Sequence, residues 1–425
     1  MVYLFGKLSL SLFFVACSIV VAHQREALRS CAARLPNAAT LCVIYLVARI
    51  AALWVMHKGL GIAVPSDVPG YFEHALRIVH GEIPNRDFSS PYGFLFNYLM
   101  AAAVYLHRDP FSILVMLQIG ECVGVYLLIR AVVQYTGDAG NGVLLLAIYA
   151  ANPIIGVNLW LGGQDESLLV LVIGSAALLA TSTRRFAVMA LPAILFAASK
   201  LFSLWILAPL ALARNWRERF GMAVGFVLVL GLIKLTGAAL ISFEFSRAQG
   251  GGDQLAAMQT SGNLWYLVTK ALQLQVPGYL PTAIVLLSLT VVGAWLWRQS
   301  ERIPPLPLVL LGSAMLGVCF QTTYRMTSPP YLAPAVAALA ALLVIPGVPS
   351  VRWLRSTIGL AVWSGLWSFD ETFWYRVRDA LARSTQLRIV FDLYESVVVV
   401  MTVLVLACTL SWAATWAAGD RNSHG

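Results

Sequence analysis

Apolar side chains run along this chain in blocks of roughly 17 to 25 residues, the length a helix needs to cross a bilayer, and charge, proline or glycine bounds each block. Tyr3 to Ala22, Ala38 to Met56, Phe111 to Val133 and Val143 to Trp160 head the series. Phe94 to Leu106 is equally apolar but too short to span, and suits a helix lying in the interface. The whole pattern predicts an all-α polytopic membrane protein with about 11–13 transmembrane helices and a helical first extracytoplasmic loop.

Composition agrees with the pattern: 59% of the 425 residues are hydrophobic and only 12% charged. The 29 Lys and Arg outnumber the 20 Asp and Glu, but they lie in short clusters between apolar blocks, which reports orientation and not a nucleic-acid partner. Placing Arg25/Arg29/Arg34, Arg184/Arg185, Arg214/Arg217/Arg219, Arg298/Arg302 and Arg352/Arg355 inside gives one consistent threading. The segment from His57 to about Asp109 then lies outside, as do loops at Ser242 to Tyr266, Gln321 to Tyr331 and Ser368 to Phe391. In that last loop, Trp374-Tyr375-Arg376 with Arg378, Arg383 and Arg388 breaks the charge rule and suits an amphipathic helix on anionic headgroups. Phe186 to Ala213 has basic clusters at both ends, so it goes out and returns, with Ser199-Lys200 as the turn; such half-crossings need a buried or wet setting. The N-terminal block reads as a retained helix, with a signal peptide ending at Val20-Val21-Ala22 as the alternative. The six cysteines form no C-x-x-C and read as packing residues. Without a Walker A sequence or a recognisable internal repeat, ATP-driven transport is disfavoured.

A carboxylate at the centre of a bilayer helix costs about 2.5–3.5 kcal/mol, so the edge of the membrane is the cheapest place for acid–base chemistry. Asp67 stands at such an edge, with Arg86 and Asp87 in the same outer segment and Gln164-Asp165-Glu166 arriving on the same face from a later helix. Moving a sugar from a lipid phosphate needs a base for the acceptor hydroxyl and cations for the departing phosphate. Asp67 is the candidate base, against the alternative of a helix cap, and Asp87 is the weaker competitor because Arg86 adjoins it. Lys200 and Arg325 are candidate phosphate contacts, snorkelling being the alternative for Lys200. Gln164, Asp165 and Glu166 would orient sugar hydroxyls; a divalent metal held with Asp67 is the alternative, and no cofactor is expected. Arg49 and Glu121 are true intramembrane charges, read either as functional or as a mutual pair.

The outer segment resembles the GT-C superfamily of membrane glycosyltransferases, especially bacterial polyprenyl-phosphate-sugar-dependent hexosyltransferases. Asp67 and Tyr71 match its first-loop motif, as do Gly81, Pro84 and Arg86-Asp87-Phe88; Asn85 replaces the usual aromatic, and Pro91-Tyr92-Gly93 the usual Tyr-Pro-Pro. Gly163-Gln164-Asp165-Glu166, Lys200 and Ser261-Gly262-Asn263-Leu264-Trp265-Tyr266 continue the likeness, which covers about residues 38 to 340. It implies a core at 38–346, preceded by a membrane helix and basic loop at 1–37 and followed by C-terminal helices at 347–425. It further implies Asp67 as general base; the candidate substrate-binding residues are Arg86, Asp87, Gln164, Asp165, Glu166, Lys200 and Asn263 from the matched stretches, with Tyr324 and Arg325 added from their place between two apolar blocks. The partners would be a polyprenyl-phosphate-linked hexose, mannose being the sugar implied, a lipid or glycan acceptor, and membrane lipids. The site would face the extracytoplasmic side of the cell's inner membrane. A transporter or flippase of a lipid-linked sugar is the competing class, and a polysaccharide ligase a third reading.

Overall fold

The computed structural model describes residues 2–31, 37–65, 67–84, 86–90, 92–181, 263–277, 279–324, 327–345, 350–381 and 383–419, with isolated residues between 220 and 235. Lys200 and its turn, Arg325 and the Ser261-Gly262 start of the later motif lie outside the described residues. Along the chain come α1 (Val2–His23), α2 (Arg25–Cys31), α3 (Ala38–Trp54), α4 (Val68–Val79), α5 (Phe94–Leu106), α6 (Pro110–Thr136), α7 (Ala139–Ala150) and α8 (Ser167–Thr181). After the gap follow α9 (Leu280–Gln299), α10 (Pro305–Thr323), α11 (Ala333–Val344), α12 (Ser350–Leu381) and α13 (Thr385–Gly419). Among the described residues the chain is all-α, and six helices are long and apolar enough to cross a membrane, or seven if one bent pair is a single span. This is a multi-pass membrane protein.

The interior is built on α10 and α11, which bury every residue from Leu306 to Thr323 and from Ala333 to Val344. A helix that is apolar all round has nowhere else to go. The rim helices instead turn apolar side chains outward, such as Val43, Ile44 and Val47 on α3 and Leu286, Leu287 and Val291 on α9. Between α6 and α8 the packing is backbone to backbone. Gly120 and Gly124, spaced by four, face Leu168, Leu171 and Gly174, and a Cβ at Gly124 would collide with the Leu171 backbone.

Two expectations need correction. Val143 to Trp160 is not one straight crossing: α7 ends at Ala150, and the π-helical arm Ile154–Trp160 leaves at 65°. Pro153 supplies no N–H at the break, Asn152 Oδ1 accepts from the Ile154 N–H, and Ser18 Oγ donates to the Ala151 carbonyl. Nor is Ser368 to Phe391 an open loop, since α12 continues to Leu381 and α13 begins at Thr385. At 1.5 Å per residue, the 32 residues of α12 reach about 48 Å, beyond a hydrocarbon core of about 30 Å, so its charged end is helix rather than loop. Trp374, Tyr375, Arg376 and Arg378 therefore lie on a helix, the end of α12.

The intramembrane charges find each other. Arg49 on α3 gives Glu121 on α6 two hydrogen bonds, at 2.5 and 2.9 Å, and Tyr149 on α7 donates to the same carboxylate at 2.9 Å. Tyr45 and Trp160 flank the guanidinium with their ring faces.

Candidate functional site

A second apolar cluster, centred on Leu53, Val68, Tyr71, Phe96, Leu114 and Leu168, seats the segment between α3 and α6 on the heads of α6 and α8. Lys58 pairs with Asp109 at 2.6 Å and so closes the segment at its two ends. Burial pushes the Asp109 carboxyl up, but the hydrogen bonds from Lys58 and from the Phe111 N–H outweigh it and leave it below its ordinary value. α4 is amphipathic, with Val68, Tyr71 and Ala75 turned inward.

Asp67 occupies the N-cap of α4, yet its side chain makes no capping bond and is exposed. Its carboxylate accepts instead from Gln164 Nε2 at 2.9 Å, across 97 residues of sequence. Gly163 makes that approach possible. It holds φ at +57°, and a Cβ there would meet Leu114, Val68 and Pro65, so the turn before α8 can press against the start of α4 only without a side chain. The next residues face inward: Asp165 and Glu166 are both buried. Tyr71, one turn after Asp67, donates its hydroxyl to Asp165 Oδ1 at 3.0 Å. Burial first, then the charges of Asp165, Tyr92, Asp67 and Glu166, push the Tyr71 phenol well above its ordinary value, so it stays a protonated donor. Asp67, Gln164, Asp165, Glu166 and Tyr71 thus form one cluster where the start of α4 meets the turn before α8. Among the described residues no three His, Cys, Asp or Glu side chains converge as a metal ion would need.

Arg86 and Asp87 lie elsewhere. They form a two-bond ion pair at 2.7 and 2.9 Å, Asp87 also takes the Ile83 N–H, and its carbonyl accepts from Arg77. Arg77, ten residues beyond Asp67 in sequence, is the residue of α4 that holds this pair's backbone, and no hydrogen bond joins the pair to Asp67 among the described residues. The Arg86 hydrogen bond, with the Ile83 N–H, holds the Asp87 carboxyl down at about 2. Asn263 and Tyr324 belong to a third group. Asn263 accepts from the Tyr266 N–H and donates to Thr327 Oγ1, Trp265 donates to the Thr323 carbonyl, and Tyr324 stacks on Phe320 at 4.6 Å. The single turn Pro329–Leu332 beyond it packs on the Ile154–Trp160 arm, which leads into the Gly162–Glu166 turn.

Sequence reasoning left two features out of the site. One is an aromatic strip in which Tyr71 meets Tyr92 and Phe96 edge-on at 5.1 Å while His74 meets Phe88 and Tyr92. The spacing Asp67, Tyr71, His74 was its signal, since i, i+4 and i+7 share one face of a helix. The other is an acidic group on α12 and α13, with Asp370 and Glu395 buried and Asp392 accepting from the Tyr266 hydroxyl at 3.0 Å. No local motif announces it.

Burial holds the His74 imidazole below its ordinary 6.5, with Glu73 raising it and Arg77 lowering it further. The unfolded chain therefore takes up the proton first, and stability is lost as pH falls below about 6.5 toward the depressed folded value. Thermal midpoints measured between about pH 7.5 and 5.5 are expected to fall in the wild type and to fall less in His74→Phe. An equal slope in both would remove His74 as the cause.

No protein-family model matches the chain, and no curated protein matches it. Among solved structures it is similar to the crystal structure of ArnT from Cupriavidus metallidurans bound to undecaprenyl phosphate, at 15% identity, covering 91% of this chain and 79% of that one, with a TM-score of 0.47.

Proposed function

We propose that this chain is an integral-membrane glycosyltransferase of the GT-C type. It moves a hexose, with mannose the first candidate, from a polyprenyl phosphate to a lipid or glycan acceptor on the extracytoplasmic face of the cell membrane. The observation that carries the reading is the pairing of Asp67 with Gln164 beside Tyr71–Asp165, which joins one exposed carboxylate to a buried polar wall. Asp67 takes the proton of the acceptor hydroxyl while that oxygen bonds to the sugar's anomeric carbon. The bond from that carbon to the phosphate oxygen breaks, and its electron pair leaves with the polyprenyl phosphate. Gln164, Asp165 and Glu166 orient sugar hydroxyls. Lys200 and Arg325 neutralise the departing phosphate, and Arg86, Asp87, Asn263 and Tyr324 contact more distant parts of the substrates. The reading needs no covalent intermediate and no metal.

A flippase would put its working charges in the membrane, but Arg49 and Glu121 are buried against each other and held by Tyr149, which suits a lock better than a path. Vesicles containing the protein, given radiolabelled polyprenyl-phosphate hexose and crude lipid or glycan acceptor, are expected to release label into the acceptor. Donor crossing the bilayer with no transfer would overturn the enzyme reading and favour the flippase.

A further inference from the structure

On the side of the membrane opposite Asp67, where the basic clusters lie, a groove of about 750 Å³ runs between the start of α3, the end of α6 and the start of α7. That volume falls within the roughly 300–1,000 Å³ of ordinary small-molecule sites. Its walls are divided. Leu41, Ile129, Val133 and Leu146 supply apolar surface, while Arg130 stands exposed in the lining beside Tyr126, whose hydroxyl accepts from Arg130 Nη1 at 3.3 Å. Among the described residues no carboxylate pairs with Arg130; Asp138, at the N-cap of α7, is engaged by Arg29 at 2.6 Å. The floor is fixed by Gly142, where a Cβ would press on Ile129 and Val133, so α6 and α7 close beneath the groove without filling it. The same helices carry outward apolar side chains, Val43 and Ile44 on α3 and Val123 on α6, so bilayer lipid borders the groove.

We infer that this groove is a binding site for an anionic phospholipid of the inner leaflet, its phosphate on Arg130 and an acyl chain along Leu41, Val133 and Leu146. The exposed Arg130 argues for the headgroup, since a basic side chain beside the membrane surface attracts anionic lipid. The apolar walls argue for lipid over free phosphate. The site is separate from the Asp67 cluster, so its success or failure leaves the transferase reading untouched.

Native mass spectrometry of the purified full-length protein tests it, with phosphatidylglycerol and phosphatidylcholine titrated in parallel. Phosphatidylglycerol is expected to bind more tightly, and Arg130→Gln to weaken it about fivefold without changing phosphatidylcholine. Leu146→Trp, which fills the groove and leaves the charge, is expected to abolish the tight site. Equal binding of the two lipids, or an unaffected Arg130→Gln, overturns the anionic headgroup. A Leu146→Trp protein that keeps its thermal midpoint and still binds overturns the groove.

Discussion

Asp67→Asn is expected to lower sugar transfer by about 10²- to 10⁴-fold while leaving the thermal midpoint unchanged. Both halves follow from where the side chain sits. Asn is as good an N-cap residue as Asp, and Asp67 in any case makes no side-chain capping bond. Its side-chain partner, Gln164 Nε2, can donate to an amide oxygen as well as to a carboxylate. The substitution therefore removes the charge that accepts a proton and little else. Asp87→Asn is the informative contrast. The Asp87 carboxyl, held at about 2 by Arg86 and the Ile83 N–H, is too weak a base for chemistry near neutral pH, and its loss should disturb the local turn more than the rate. Initial rates of label transfer for the two variants, read beside their melting curves, decide the matter. If Asp67→Asn keeps its rate within a few fold, or Asp87→Asn is the slower of the two, the base has been misassigned.

Much of this architecture could be read without coordinates, and the misses have physical causes. Phe94 to Leu106 was legible to the residue, because Gly93 and His107 bound a run that is apolar but for Asn97. The bend after α7 was missed because a count of apolar residues passes over Pro153, although that proline was the signal. The charges of Ser368 to Phe391 suggested loop, since charge reports an exit from the membrane but not whether helix continues beyond it. At the site, Asp67 and Gln164 could be placed on one face by threading, but their contact depends on Gly163, whose left-handed turn is visible only in the backbone. Tyr71 was part of a motif; that its hydroxyl serves Asp165, 94 positions away, no local pattern could convey. Arg49 and Glu121 showed as intramembrane charges, and choosing between a pair and two separate roles required the relative rotation of α3 and α6.

That pair carries the largest expected effect on stability. Glu121→Ala is expected to cost about 3–5 kcal/mol, because it strands a guanidinium in a site with almost no exposure, and Arg49→Ala should cost as much by stranding the carboxylate. Replacing both, as Arg49→Met with Glu121→Leu, removes the buried charges together and should recover most of the loss. A residual deficit is expected from the Tyr149 hydroxyl, which would lose its acceptor. Unfolding midpoints of the detergent-solubilised single and double variants supply the coupling energy. The activity of the double variant then separates two roles. α3 runs on through the turn Val55–Gly59 toward Asp67, so a lock that merely positions α3 predicts that transfer returns with stability. A double variant that is folded and stable but inactive would show that the charges themselves serve the reaction, and would reopen the transport reading that their pairing argues against.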